Sequence, residues 1–333
     1  MNEKIDFVII WVDGGDAEWR KEKNKYAGIP NEEINGDARF RDWDNLKYWF
    51  RGVEKFAPWV GNIYFVTCGH YPKWLNLNHP KLKFVRHDEY IPKEYLPTFS
   101  SHTIELNLHR IKGLSEKFVY FNDDMFLISP VQVADFFCGD IPRYTLQHEI
   151  FYANPDNDFF QHILINNMTV INKYFDKNSS IKRDFFKWFN FKNSFKYNIK
   201  NILLLPWKNF SYFKDTHMPS PILKSTMEEL WNKEFEILDK TSKDKFRQMD
   251  GVNQYLFKDY DIARGNFEVI SEKHFSYYDV ADDRQDLINT ILKQSKKIIC
   301  MNDTKKEFNF EKTKEEVNDA FEKILPDKSK FEI

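Results

Sequence analysis

The sequence predicts an α/β fold with a packed core, from three observations. The chain has 333 residues, which is long enough for one large domain or two smaller ones. Hydrophobic residues make up 42% of them, which is enough for a packed core. Segments with helical spacing, residues 43–56 and 102–112, lie between short apolar runs. Strands alternating with helices are typical of a largely parallel sheet. The apolar runs typical of buried strands are residues 5–13, 62–68, 82–86 and 117–127.

Each element has a local signal in the sequence. The first run is apolar up to Asp13, and the helix at 43–56 stops before Pro58. The apolar side chains of that helix recur on one side: Leu46, Trp49, Phe50, Val53 and Phe56. The run at 117–127 is interrupted by carboxylates. Two further helices are predicted at 225–239 and 242–258. The charged tail from about residue 304 is predicted to be a solvated helix that ends at Pro326.

Charge and cysteine content narrow the functional classes. The net charge of −2 indicates no drive toward nucleic acid. The three cysteines, Cys68, Cys138 and Cys300, form no closely spaced pair, so we expect no disulfide framework or structural zinc site and a reducing compartment. The first residues do not resemble a signal peptide, and no run approaches the roughly 20 apolar residues of a spanning helix. We expect a cytoplasmic protein, soluble or peripheral to the membrane.

The middle of the chain, residues 172–214, has a different composition. Ten lysines and arginines stand against two acidic residues there, with thirteen aromatics interleaved. One interpretation is a helical subdomain with a solvated basic face. The other is an interfacial element, in which basic side chains meet anionic lipid or acceptor phosphates and aromatic rings enter the headgroup region.

Polar residues follow several predicted strands. Asp13, Thr67 and Asn122 to Asp124 stand where strands end, and ligands of open α/β sheets bind at the carboxyl ends of strands. Two adjacent carboxylates, Asp123 and Asp124, are costly to bury unless a cation meets them. A divalent ion shared with substrate phosphates would suit them. The alternative is a turn with solvated carboxylates.

Three further features could carry chemistry. In the helix at 102–112, His102, Glu105 and His109 share one face, which could bind a metal, orient a hydroxyl or shuttle a proton. His217 precedes Met218 and Pro219, off any regular helix. Arg247 offers donors suited to phosphate oxygens. Each alone is commonly structural. No HExxH zinc site, Walker loop or dinucleotide-binding loop is present.

Five stretches, in order, resemble the four conserved regions of the Stealth proteins. IDFVIIWVDGGDAEW resembles the first region. RFRDWDNLKYWFRGVEKFAPWVGNIYFVTCGHYPKWLN and LPTFSSHTIELNLHRIKGLSEKFVYFNDDMFL resemble the second. DTHMPSPILKSTMEELW resembles the third, and FRQMDGVNQYLFKDY the fourth. The resemblance covers most of residues 5–260.

The resemblance implies a fold and a domain organisation. The family includes bacterial capsule and surface-polysaccharide phosphotransferases and the catalytic subunit of the animal GlcNAc-1-phosphotransferase. It implies a GT-A-like nucleotide-sugar transferase core with a helical, aromatic and basic insertion. We expect residues 1–150 to form the nucleotide-sugar-binding half, 151–215 the insertion, 216–300 the remainder of the core and 301–333 a charged C-terminal helix.

The implied reaction moves a hexose-1-phosphate from a UDP-sugar to a hydroxyl of an oligosaccharide acceptor. It forms a phosphodiester, releases UMP and uses Mg²⁺ or Mn²⁺. We expect a lipid-linked oligosaccharide as acceptor and peripheral contact with the inner membrane surface. One alternative is a metal-dependent GT-A glycosyltransferase, which would release UDP. Another is a non-catalytic module that binds glycan or membrane.

The resemblance also assigns roles to residues. Glu105, Asp124, His217 and Arg247 match active-site positions, and Asp123 would bind the metal with Asp124. His217 or Glu105 would be the base, or His217 would carry the phosphoryl group covalently. His102 and His109 would lie on the acceptor side. Asn45 departs from the family pattern, where glutamate is usual. The expected donor-binding residues are Trp11, Asp13, Gly14, Arg39, Asp44 and Arg51.

Overall fold

The computed structural model describes residues 4–27, 41–151, 158–303 and 306–333. The strands in this part of the chain are β1 (Ile5–Ile10), β2 (Ile63–Thr67), β3 (Leu82–Arg86), β4 (Lys117–Phe121), β5 (Met125–Leu127), β6 (Phe137–Cys138), β7 (Ile141–Tyr144), β8 (His148–Glu149), β9 (Tyr212–Phe213), β10 (Ser220–Leu223), β11 (Glu268–Val269), β12 (Phe275–Asp279) and β13 (Ile298–Asn302). The α-helices are α1 (Ala17–Tyr26), α2 (Leu46–Phe56), α3 (His87–Tyr90), α4 (Ser101–Leu106), α5 (Asp158–Tyr174), α6 (Lys177–Arg183), α7 (Phe185–Trp188), α8 (Phe195–Leu203), α9 (Lys224–Lys233), α10 (Phe235–Lys243), α11 (Tyr255–Arg264), α12 (Arg284–Lys293) and α13 (Phe310–Ile324).

A five-stranded sheet in the order β10-β4-β1-β2-β3 forms the centre of the molecule. Strand β1 runs parallel to β2 and β4, and β2 runs parallel to β3. Strand β10 is antiparallel to β4, with Ser220 opposite Tyr120. The carboxyl ends of β1, β2 and β4 therefore meet the amino end of β10 at one edge of the sheet, which we call the catalytic edge.

Both faces of the central sheet are covered, which explains why its strands are continuous apolar runs. On one face Phe7 and Phe121 lie in a cluster with the apolar side of α2 and with α13. On the other face Val8 and Tyr120 lie in a second cluster with α9 and α11. The α/β class predicted from the sequence is confirmed, and helices α5 to α8 form the predicted helical insertion between β8 and β9.

The predicted strand 117–127 is two strands in two sheets. Strand β4 belongs to the central sheet, whereas β5 pairs antiparallel with β13 in the sheet β12-β13-β5. Residues 122–124 form the turn between them, and the Met125 amide donates to the Asn122 carbonyl at 3.3 Å. The two carboxylates thus stand at the point where the chain leaves one sheet and enters another.

Three predicted helices differ from the structure. The helix at 102–112 ends at Leu106 and continues as a short 3-10 turn, because the Asn107 side chain bonds the Thr103 carbonyl and the backbone leaves helical geometry. The helix at 225–239 is two helices, α9 and α10. The helix at 242–258 was wrong: residues 244–254 are irregular, and α11 begins at Tyr255.

The C-terminal segment is not a solvated tail. Helix α13 buries Val317, Ala320 and Phe321 in the cluster shared with α2. The Arg51 guanidinium of α2 donates to both carboxylate oxygens of Glu332 at 2.9 Å and to the Leu325 carbonyl at 2.8 Å. The last residues therefore belong to the core. Among the described residues, no helix is long and apolar enough to cross a membrane.

Candidate active site

The catalytic edge brings His217 to Asp124, although 93 positions separate them in the chain. Asp124 follows β4, and His217 stands three residues before β10, which is antiparallel to β4. The pairing register therefore places both at the same edge. The His217 Nε2 atom lies 3.3 Å from Asp124 Oδ2. Two residues from distant regions of the sequence thus form one polar pair.

The backbone and ring of His217 are held by neighbouring groups. His217 has a φ of 50°, a left-handed conformation that is uncommon for a residue other than glycine, and its amide donates to Asp215 Oδ1 at 2.5 Å. Lys258 forms an ion pair with the other oxygen of that carboxylate. The Tyr255 hydroxyl lies 2.9 Å from His217 Nδ1. The imidazole is thereby oriented with Nε2 toward Asp124.

The charges around His217 raise its basicity. Burial alone lowers the pKa of His217, but the adjacent Asp124 carboxylate, and further away Asp215 and Glu105, more than offset that effect. The net result is a pKa above the ordinary value. The side chain remains 32% exposed, so a substrate hydroxyl can reach it.

The two adjacent carboxylates are poorly compensated. Asp123 is exposed directly beside Asp124, so two like charges are adjacent at the end of β4. Asp124 Oδ1 is buried and has no hydrogen-bond partner among the described residues. A buried carboxylate oxygen without a donor indicates a position for a cation. These oxygens fit the hard divalent ion expected from the sequence.

A third group, Cys300 of β13, completes the surroundings of Asp124. The ligand atoms of Asp124, His217 and Cys300 lie within 4.8 Å of one another. Burial, and next the Asp124 charge, raise the pKa of the Cys300 thiol well above its ordinary value. The thiol therefore stays protonated beside Asp124. A protonated thiol is a poor ligand for a hard ion, so the carboxylate oxygens are the groups here that suit Mg²⁺ or Mn²⁺.

Glu105 and Arg247 lie on the side of α4. The Glu105 side chain is 6% exposed and accepts a hydrogen bond from the Tyr120 hydroxyl at 3.2 Å. Tyr120 also bonds the Asn122 side chain at the β4 end. Arg247 lies outside any helix and donates to the Ser101 hydroxyl at 2.5 Å. The structure places Glu105 within electrostatic reach of His217 and Arg247 beside the helix that carries Glu105.

Trp11, Asp13 and Gly14 lie at the carboxyl end of β1, as the sequence indicated. The Asp13 amide donates to His70 Nε2 at 2.7 Å, which joins the ends of β1 and β2. The Trp11 ring stacks on Phe65 at 5.8 Å between centroids. Asp13 Oδ1 accepts from the Gly15 amide, which fixes the turn. These three residues border the catalytic edge.

Other expected donor residues lie elsewhere. Arg51 is a correction: its guanidinium is buried and binds Glu332, Glu322 and the Leu325 carbonyl, so it anchors the C-terminus and does not face a nucleotide. Asp44 is exposed, has a φ of 51° and pairs with Lys314. Arg39 lies outside the described residues. Asn45, the departure from the family pattern, is buried and donates to Met301 Sδ at 3.4 Å, beside Cys300.

His102 and His109 do not flank Glu105 on one helical face, because the helix ends between Glu105 and His109. His102 is buried in α4. The His109 ring packs on Trp231 at 5.7 Å between centroids. Burial, followed by the Arg110 charge, lowers the pKa of His109 to about 3. His109 is therefore a neutral packing residue.

Several contributors to the site were missed in the sequence analysis. Asp215 stands in the DTHMP stretch and Tyr255 in the NQYLF stretch, so motif membership could have indicated them. Lys258 follows Tyr255 by one helical turn. Cys300 has no local signal, because its place beside Asp124 depends on the pairing of β13 with β5.

Comparison with known proteins gives the family. Conserved region 1 of the Stealth proteins matches residues 3–29, region 2 matches residues 39–143 and region 4 matches residues 289–333. A capsular polysaccharide phosphotransferase, WcwK of Streptococcus pneumoniae, is 43% identical over 333 residues, covering 99% of this chain and 98% of the relative. The chain belongs to the Stealth family.

Other Stealth relatives are similar over their full length. The receptor polysaccharide phosphotransferase WefC of Streptococcus gordonii is 41% identical over 338 residues, with all of both chains covered. The exopolysaccharide phosphotransferase cps2G of Lactiplantibacillus plantarum is 37% identical and covers 98% of this chain and 96% of its own. The expected enzyme class, a phosphotransferase, is confirmed.

One assignment within the Stealth pattern was wrong. The stretch FRQMDGVNQYLFKDY was taken as region 4, but region 4 matches the C-terminal residues 289–333. That part of the chain contains β13 with Cys300 and the helix α13 that packs on α2. Arg247 therefore loses the motif that assigned it to the active site, and only its position beside α4 remains.

Two solved structures have a weak similarity to this chain. The bifunctional glycosyltransferase WbbM has a TM-score of 0.43 and 10% identity, covering 96% of this chain and 50% of its own. Mouse xyloside xylosyltransferase 1 has a TM-score of 0.40 and 10% identity, covering 90% of this chain and 98% of its own. Both TM-scores lie below 0.5, so the family assignment stands on the sequence matches.

Proposed function

We propose that this phosphotransferase moves a hexose-1-phosphate from a UDP-sugar to a hydroxyl of a lipid-linked oligosaccharide during capsule or cell-surface polysaccharide synthesis. The observation that carries the proposal is the group formed by His217, Asp124 and Tyr255 beside uncompensated carboxylate oxygens. Full-length relatives named as capsular, receptor and exopolysaccharide phosphotransferases support the substrate class.

The reaction is a substitution at the sugar-linked phosphorus of the donor. The acceptor oxygen forms a bond to this phosphorus while the bond from it to the oxygen bridging to UMP breaks. UMP leaves with the electron pair, and the sugar's anomeric bond stays intact. Phosphoryl transfer of this kind depends on positioning and on neutralising charge rather than on covalent chemistry.

His217 suits the role of base better than Glu105. Its Nε2 atom receives the acceptor proton, while the Tyr255 hydroxyl on Nδ1 keeps the ring in place. Asp124, 3.3 Å away, stabilises the imidazolium that forms. Glu105 is buried, whereas the His217 side chain is partly exposed, and the Glu105 carboxylate already accepts from Tyr120. Glu105 therefore acts through the electrostatic field at His217.

Asp124 and Asp123 would hold Mg²⁺ or Mn²⁺, which when bound supplies positive charge to the donor diphosphate. Trp11, Asp13 and Gly14 border the donor side of the catalytic edge. Arg247 is assigned to the phosphates because its guanidinium extends toward α4 from an irregular segment. A bidentate guanidinium is well matched to phosphate oxygens.

The test identifies the nucleotide released from UDP-hexoses in the presence of Mg²⁺ or Mn²⁺ and a lipid-oligosaccharide extract. We expect acceptor-dependent UMP that is lost in Asp124→Asn and His217→Gln. UDP as product would replace the proposal by glycosyl transfer. Inversion at a chiral donor phosphorus is the expected stereochemistry, and retention would indicate a covalent phospho-His217 instead.

A further inference from the structure

Helix α8 has its amphipathic pattern reversed. Residues 195, 199, 202 and 203 share one face at about 100° per residue, and all four are large, apolar and exposed. Phe195 is 81% exposed and Leu203 65%. The buried residues, Tyr197 and Asn201, lie on the opposite face together with Leu204, which caps the helix. A helix that packs on a protein core normally has the opposite arrangement.

Polar groups attach α8 to the rest of the molecule. The Tyr197 hydroxyl bonds the Glu272 carboxylate. The Asn201 side chain accepts from the His148 amide at 2.9 Å and donates to the Trp188 carbonyl at 3.1 Å. The helix is therefore held by its inward face, and the exposed apolar face is not required for its attachment.

The neighbouring segment extends the apolar surface. Phe186 is 85% exposed and Phe191 is fully exposed. The loop that carries Phe191 is fastened to α8, because the Asn198 side chain donates to the Asn190 carbonyl at 2.9 Å. An exposed apolar surface of this kind marks an interaction site. We define the insertion patch as Phe185, Phe186, Phe191, Phe195, Ile199, Ile202, Leu203, Leu205 and Trp207.

The charge around the insertion patch is one-sided. Between residues 182 and 208 there are seven lysines and arginines and one acidic residue, Asp184, which pairs with Arg183. Lys192 and Lys196 are exposed, and neither forms an ion pair within the part of the chain that the structure describes. Lysines beside exposed aromatic rings are complementary to a surface that is apolar below and anionic above.

We propose that the insertion patch docks on a lipid bilayer that contains anionic phospholipids. The apolar side chains enter the boundary between headgroups and acyl chains, and the surrounding lysines contact headgroup phosphates. A second copy of this chain fits less well, because a symmetric contact would bring the same lysines together. The proposal rests on exposure and charge, and it holds or fails independently of the reaction proposed above.

The inward face of α8 is linked to the catalytic edge through β8 and β9. The Asn201 contact is to His148 of β8, which pairs with Phe213 of β9. Only three residues separate β9 from His217. Binding of α8 to a bilayer would therefore attach the protein to the membrane through the part of the chain that leads to His217.

The experiment measures binding of the full chain to phosphatidylcholine vesicles with and without phosphatidylglycerol. The variants are Phe186→Ser/Phe191→Ser/Phe195→Ser and Lys192→Glu/Lys196→Glu. Phe235→Ser controls for the loss of an exposed phenylalanine elsewhere. Lys73→Glu/Lys323→Glu controls for the same change in net charge.

We expect phosphatidylglycerol to tighten binding and each patch variant to weaken it by about tenfold or more, since one surface lysine contributes roughly fivefold. The controls should bind like the parent. Brominated phospholipid should quench Trp207, and Trp207→Phe should remove that quenching. Binding that is unchanged in both patch variants, or that ignores anionic lipid, overturns the proposal. A dimer that the phenylalanine variant abolishes, without vesicle binding, would assign the patch to a second copy.

Discussion

The catalytic edge and the insertion patch depart from ordinary folded-state energetics in opposite ways. At the catalytic edge the protein gathers carboxylates with few cations, and Asp124 Oδ1 is buried without a partner. At the insertion patch it leaves Phe186, Phe191 and Phe195 in solvent. Each arrangement costs free energy in the isolated chain. The comparison teaches that the two regions leave opposite groups unsatisfied, buried carboxylate oxygen in one case and exposed apolar surface in the other. Our proposals satisfy them with a cation and donor phosphates at the catalytic edge and with a lipid surface at the insertion patch.

The largest expected effect is at the catalytic edge. Asp124→Asn should lower nucleotide release on the order of a thousandfold, because the variant loses the carboxylate that faces His217 and that would hold the cation in the proposed reaction. The melting temperature should stay the same or rise, since a buried carboxylate oxygen without a hydrogen-bond donor is replaced by part of a neutral amide. Exposed Asp88→Asn is the matched control. A large fall in the melting temperature of Asp124→Asn would show that this carboxylate stabilises the fold, and would contradict the comparison with the insertion patch.

Variants of Arg51 test how much a paired buried charge contributes to the free energy of unfolding. Arg51→Met should lower the free energy of unfolding by about 3 kcal/mol, because Glu332 is left buried without its partner. Arg51→Met/Glu332→Met should recover part of the loss. The exposed ion pair of Arg86 and Asp88 provides the control. Arg86→Met should lower the free energy of unfolding, measured in urea, by less than about 1 kcal/mol. If the folded Arg51 variant no longer binds the nucleotide-sugar donor, Arg51 does have the donor-binding role expected from the sequence.

Tyr255→Phe tests how His217 is oriented. Removal of the hydroxyl that lies 2.9 Å from Nδ1 should lower kcat by about tenfold and leave KM nearly constant. Tyr71→Phe, at an exposed tyrosine, should have no effect. The same substitution is then made in the His217→Gln enzyme. If Tyr255→Phe lowers kcat there by the same factor as in the parent, the tyrosine acts independently of the histidine.

Asp259 is a buried carboxylate away from the cation position, and it predicts a pH dependence of stability. Burial raises its pKa to about 8, despite the nearby Lys258 charge. The folded chain then retains a proton that the unfolded chain releases near pH 4, so stability falls as pH rises from there to about 8. Asp259→Asn should remove this loss of stability. The melting temperature of the variant should therefore exceed that of the parent by an amount that grows between pH 5 and 8. A constant difference across that range would contradict the assignment.

The smallest effect is expected at the insertion patch. Phe186→Ser/Phe191→Ser/Phe195→Ser should change the free energy of unfolding by less than about 1 kcal/mol, because these rings pack against little. Phe50→Ala, at a fully buried ring, should cost about 3–5 kcal/mol. A similar cost at both places would show that the patch is part of the core.

Prediction from sequence succeeded where the signal is local. The strands of the central sheet and the apolar side of α2 were predicted because continuous apolar runs and helical spacing report burial directly. The helix at 242–258 was wrong because the apolar spacing there belongs to an irregular segment that ends at α11. The C-terminal helix was taken as solvated because its many charged residues obscure the three core residues Val317, Ala320 and Phe321.

The sequence by itself determined the α/β class, the family and most of the chemical groups at the catalytic edge, because long motifs and strand ends are read along the chain. Only the tertiary structure decided which of these groups meet. Strand β10 pairs antiparallel with β4, and β13 pairs with β5, so His217 and Cys300 come to Asp124 from distant positions. It also decided that Arg51 holds the C-terminus and that α8 turns its apolar face outward. Sheet pairing and helix orientation depend on long-range packing, which local spacing does not encode.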